Sequence, residues 1–218
     1  MEKNKSILTV KEMVEMGLLI SLAIILDLDG LKISLGSNGG SIGFTMLPLI
    51  VLSYRQGFYK SLIGIGFVYG LVTNLLDGWG LIYFPFDYFV AYGVSISLVG
   101  LFKDKIFKDE KLLNNYCWLI ISLVLIFVVR IMGHTLSSMI FYQYTLEASL
   151  AYNFSYVLQS ILICMVVLVY HNSSHETSIK KETETQPTAK RKIADTVFLL
   201  GCTSKKWVIF PDFLFSCT

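Results

Sequence analysis

The chain has 218 residues, 54 % of them hydrophobic and only 16 % charged, with a formal net charge of +2 and a mean hydropathy of +0.63. A soluble domain carries about 25 % charged residues, so a soluble globule is excluded, and for most of the chain so is disorder. The small positive balance, with no basic face interleaved with aromatics, excludes a nucleic-acid partner.

A bilayer core of roughly 30 Å needs about 20 apolar residues in helix. Candidate spans lie near 13–28, 42–54, 58–76, 81–102, 116–133 and 148–170. The chain reads as an all-α membrane protein, a six-helix transmembrane bundle over residues 1–171, followed by a tail over 172–218. The first span follows Lys11, Glu12 and Glu15, and no small-x-small cleavage site succeeds it, so it is expected to be retained rather than removed as a signal peptide. It carries Gly17 and Ser21 four residues apart, a spacing that lets another helix come close, either from within the bundle or from a partner. Segment 29–43 (DGLKISLGSNGGSIG) is rich in Gly and Ser and has its own apolar alternation; it is either a lid or a plain connector.

The second span is short and interrupted by Pro48, and the third carries Gly64, Gly66 and Gly70. The fourth contains Asp87 inside LIYFPFDYFVAYG, where a carboxylate must find a partner on another helix or in a ligand. Tyr83, Tyr88 and Tyr92 surround it in sequence and can wall a cation with their ring faces. The alternative is a structural Asp87–Arg130 pair. Span five brings Arg130 and His134, and span six begins with Asn153 in YNFSY. His134 reads as a core residue or a proton relay, and Asn153 as a ligand contact or a bridge between helices. A metal site is not expected, because no second His or Cys stands at ligand spacing.

Beyond His171 the sequence turns polar and reads as disordered through residue 195, and the apolar stretch 196–218 has no assigned role. Cys117 and Cys164 read as buried small hydrophobes, while Cys202 and Cys217 lie in the tail. Lys3, Lys5, Lys11, Arg55, Lys60, Lys103, Lys105, Lys108 and Lys111 fall on one side of the expected topology, against Lys32 and Arg130 on the other. The positive-inside bias then puts both termini in the cytoplasm. Asp87, His134 and Asn153 share the outward half of their spans, which describes an outward-facing small-molecule pocket. No GxxxxGK[ST], GxSxG or HExxH is present, so neither an engine for transport nor an enzyme is expected, and no cofactor.

Four stretches carry a family pattern: GGSIGFTMLPLIVLSYRQG at 39–57, DYFVAYG at 87–93, RIMGHTLSSMIFY at 130–142 and YNFSYVL at 152–158. In this order and spacing the chain resembles the thiamine-specific substrate-binding subunits of energy-coupling factor transporters. The resemblance implies a six-helix subunit in a bacterial cell membrane that binds thiamine on the outer side. It also implies docking on a transmembrane coupling subunit driven by two cytoplasmic ATPases, with Gly17 and Ser21 in the docking motif. Its pocket residues fall on Asp87, Tyr88, His134, Tyr142 and Asn153. The family usually has glutamate at the acidic position, and an ungapped alignment from Gly100 puts Ala91 and Tyr92 there instead. Ala148 stands where a pocket tyrosine is usual, and segment 29–43 has no tryptophan. Two other readings stay open: a subunit for another vitamin or precursor, and a stand-alone proton-coupled carrier using Asp87 and His134.

Overall fold

The computed structural model describes residues 8–35, 40–106 and 112–185. Its helices follow the apolar runs of the sequence: α1 Val10–Leu26, α2 Met46–Gln56, α3 Phe58–Asp77, α4 Phe84–Lys105, α5 Leu112–Phe141 and α6 Leu146–Thr185. Between α1 and α2 a short antiparallel hairpin pairs β1 (Ile33–Ser34) with β2 (Ser41–Ile42), with Ile33 opposite Ile42. Residues up to Met165 form one compact unit, and a second begins at Val166 within α6.

Local chemistry explains where the helices start. Thr9 caps α1 with its hydroxyl on the Glu12 N–H, and Glu12 returns a carboxylate to the Thr9 N–H, the reciprocal capping box that satisfies two orphan donors. Pro48 does not break α2. It sits in the first turn, where the N–H it lacks would have no helical acceptor. Every residue of α2 except Leu47 and Arg55 is buried, so this helix is the centre of the unit rather than a surface element.

Among the described residues, α3, α4, α5 and α6 are long and apolar enough to cross a membrane. At 1.5 Å per residue α1 extends about 26 Å and α2 only about 16 Å. Helix α5 shows the division of faces: Ile120, Val124, Val128, Met132 and Leu136 are exposed at four-residue steps, while Leu123, Ile126, Arg130 and His134 are buried. Apolar residues facing outward in such a stripe are what a lipid-covered helix requires.

The glycines of α3 serve packing within the unit. A Cβ on Gly93 of α4 would lie 2.5 Å from the Gly66 Cα, and one on Gly64 would lie 2.7 Å from the Met16 sulfur of α1. By contrast, nothing stands within 4 Å of a Cβ built on Gly17, and both Gly17 and Ser21 are exposed. Parts of α3 and α4 (Leu62–Tyr69 and Phe84–Val94) are wound with the wider i→i+5 pattern, which is uncommon and often accompanies functional sites.

One difference from the sequence expectation concerns the tail. Helix α6 continues past His171 to Thr185. The polar composition of 172–185 argued for disorder, yet no Pro or Gly interrupts the chain from Leu146 until Pro187, so nothing local stops a helix already nucleated by its apolar part. The stretch 196–218, with Cys202 and Cys217, lies outside the described residues.

Candidate functional site

At one end of the bundle, where α1 and α3 finish and α4 and α6 begin, a cavity of about 310 Å³ opens. That is the lower end of the size range of small-molecule sites. Its wall is drawn from the turn after α1, the hairpin region, and α3 to α6 with the segments that join them.

Asp87 enters the wall from the wide first turns of α4. Its two oxygens accept from two residues of α5: Oδ1 lies 2.9 Å from His134 Nδ1, and Oδ2 accepts from the Ser137 hydroxyl. On the far side of the imidazole, Arg130 Nε lies 3.4 Å from His134 Nε2. A guanidinium only donates, so Nε2 is the acceptor and Nδ1 carries the proton given to Asp87. Arg130 is 2 % exposed. It donates to the Tyr92 hydroxyl at 2.6 Å and to the Met46 sulfur, with its guanidinium carbon 4.1 Å from the Tyr92 ring centre. The direct Asp87–Arg130 pair considered from the sequence does not form: His134 stands between them.

Asn153 of α6 is fixed by one neighbour a turn away and one on α5. Its Oδ1 accepts from the Tyr156 hydroxyl at 2.9 Å, and its Nδ2 donates to the Ser138 hydroxyl of α5 at 3.3 Å. Near the mouth the rings of Tyr83 and Tyr142 lie 5.6 Å apart, and Trp79 makes an edge contact with each. Burial, and after it the Asp87 charge, pushes the Tyr142 phenol up to about 12, so it stays a neutral donor at physiological pH.

A second charged group completes the wall. Asp27 follows α1, Asp77 ends α3, and the Lys32 ammonium lies 3.4 Å from Asp27 Oδ1 and 3.8 Å from Asp77 Oδ1. Tyr69 donates to Asp27 at 3.3 Å, and Tyr88 to Asp77 at 2.7 Å. The hairpin is tied to α6 by Tyr152, whose hydroxyl donates to the Leu35 carbonyl and accepts from the Gly40 N–H, both at 3.1 Å.

All seven pocket residues expected from the sequence, Tyr83, Asp87, Tyr88, Tyr92, His134, Tyr142 and Asn153, line this cavity. Ala91 is fully buried and does not. Asp27, Lys32, Asp77, Tyr152 and Tyr156 line the cavity without having been expected there from the sequence, and Ser137, which is not part of the lining, holds Asp87. For Ser137 and Tyr156 a signal existed, since each stands three residues beyond a chosen polar residue, on the same helical face. Among the described residues, no group of three His, Cys, Asp or Glu could hold a metal ion.

The model of the thiamine transporter protein family (Thia_YuaJ) matches residues 13–180, well over half of the chain. The chain belongs to this family. A relative in it, the thiamine transporter ThiT of Bacillus subtilis, is 26 % identical over 174 residues, which cover 72 % of this chain and 87 % of that protein. A solved structure of ThiT from Listeria monocytogenes matches with a TM-score of 0.62 at 19 % identity, covering 72 % of this chain and 91 % of the other. That likeness establishes the helical membrane fold. The family is one of transporters, and its apolar helices belong in a membrane.

Proposed function

We propose that this chain is the thiamine-binding membrane subunit of an energy-coupling factor uptake transporter. The observation that carries the reading is Asp87: a carboxylate on a cavity wall, held by His134 and Ser137 and not neutralised by direct contact with Arg130. Thiamine joins a permanently charged thiazolium to a flat aminopyrimidine and ends in a hydroxyethyl group. The Asp87 charge offsets the thiazolium. Tyr83, Tyr88 and Tyr142 supply ring faces for a cation–π contact worth up to about 2 kcal/mol when desolvated, while Tyr92 carries Arg130 on its ring and His134, with both nitrogens engaged, holds Asp87 in place. Asn153 supplies a polar contact for the pyrimidine. The family membership and the ThiT relatives support this ligand.

The cavity end faces outward in this reading, because Arg55, Lys60, Lys103 and Lys105 gather at the opposite end of the helices, as cytoplasmic ends do. The termini are then cytoplasmic and the chain crosses the bilayer six times, with α2 enclosed by its neighbours. The free-standing Gly17 and Ser21 face of α1 suits close docking of a helix from the coupling subunit, and the two ATPases act through that subunit. Residues 1–171 form the binding domain and 172–218 an appendage to it.

The deciding experiment is calorimetric titration of the purified full-length protein against a panel of vitamins. Saturable binding of thiamine, with weaker binding of uncharged vitamins, is expected. A protein that ignores thiamine and binds another member of the panel overturns the ligand.

A further inference from the structure

The side chains lining the cavity include four carboxylates, Asp27, Asp29, Asp77 and Asp87, against one ammonium, Lys32. Arg130 does not correct the imbalance, since it is buried behind the wall and turned onto Tyr92, His134 and Met46. Lys32 is shared. Its separations from Asp27 and Asp77, 3.4 and 3.8 Å, are at the long end of an ion pair, and neither carboxylate is otherwise met by a cation among the described residues. The group is shielded from solvent: Asp27 and Lys32 are each 13 % exposed and Asp77 is 31 % exposed. Asp27 and Asp77 also stand at the C-terminal ends of α1 and α3, where helix carbonyls add further negative potential.

We infer that Asp27, Asp77 and Lys32 form a charge filter, which favours a cationic solute and rejects the same solute once its hydroxyl is esterified with phosphate. This rests on the reading of the cavity as a thiamine site and adds residues and a selectivity to it. Lys32 alone would attract a phosphate. Two carboxylates for each ammonium reverse the sign, and a phosphate monoester brings a charge of about −1.5 to −2 at pH 7. Lys32 is also a built-in competitor: it holds the position between two carboxylates that a ligand cation is drawn toward.

The test measures dissociation constants of thiamine and thiamine monophosphate for the full-length protein in nanodiscs, and takes their ratio. Asp77→Asn should lower the preference for the alcohol over the ester by about fivefold or more, the scale of one part-screened unit charge at this range. Lys32→Met should raise the preference by a similar factor and tighten thiamine itself, whereas Lys32→Arg should leave the ratio near that of the wild type. Added salt should shrink all of these differences. Should Lys32→Met fail to fold, Asp77→Asn decides alone, because asparagine still accepts from Tyr88. A ratio unmoved by Asp77→Asn, with thiamine still bound, overturns the filter and leaves the thiamine reading standing. A wild-type protein that does not bind thiamine overturns both.

Discussion

His134 separates Asp87 from Arg130, donating a hydrogen bond from Nδ1–H to the carboxylate at 2.9 Å and accepting one from the guanidinium at 3.4 Å. The acid is thereby oriented by a neutral ring, so its charge is available to the cavity while the guanidinium is occupied elsewhere. Asp87→Asn removes the charge and keeps an acceptor. Thiamine affinity should fall by about tenfold or more, on the order of 1.4 kcal/mol, as read by titration of the purified variant. Unchanged affinity would remove Asp87 from the site.

His134→Ala takes the middle member from the Asp87–His134–Arg130 row and leaves buried polar groups short of partners. The cost should be about 1–3 kcal/mol of stability, seen as a lower melting temperature without ligand. His134→Gln restores a donor of similar reach and should recover part of it. Equal melting of all three proteins would mean that the row does not support the fold.

The glycines make opposite predictions according to what faces them. Gly93→Ala drives a methyl into the Gly66 backbone and should destabilise by about 1–3 kcal/mol, the usual cost of overpacking. At Gly17 a Cβ meets nothing within 4 Å, and the position is exposed, so Gly17→Trp can point its ring away from the unit. It should leave melting and thiamine binding intact and abolish uptake by cells that supply the coupling subunit and ATPases. Loss of binding in Gly17→Trp would assign that face to the internal fold.

Strong acid should reach a contact at the other end of the helices. The Lys60 ammonium, with the Thr9 N–H after it, holds the Glu12 carboxyl at about 2, against 4.5 for the free group. A depressed folded value means that the contact stabilises fully above pH 4.5 and is lost as pH falls through about 2. The wild type should therefore exceed Glu12→Gln in melting temperature near neutrality, by a small margin because the pair is part-exposed. The margin should close in strong acid. A constant margin at every pH would point to the cap geometry instead of the charge.

Much of this was legible in the sequence because membrane interiors make polar residues conspicuous. Asp87, His134 and Asn153 each interrupt an apolar run, and that alone brought three separate helices to one cavity. The helix bounds follow hydrophobicity closely. What stayed hidden depends on long-range placement. Asp27, Lys32 and Asp77 are unremarkable at the ends of helices and in a loop; only the turn after α1 and the end of α3, brought side by side, make them one group. The Tyr152 tether joins residues more than a hundred positions apart, which no local pattern announces. The helical continuation to Thr185 is hidden by its polar composition, and only the absence of Pro or Gly before Pro187 points to it.

The seam between Gly66 and Gly93 has a mechanical consequence. Two main chains in direct touch have no side chains to rearrange, so α3 and α4 cannot slide past each other without collision, and they form a fixed jaw. Whatever yields to let a solute in or out is then sought in the hairpin and the turn after α1, which are tied by the Tyr69 and Tyr152 hydroxyls and by Lys32, contacts that can let go and re-engage.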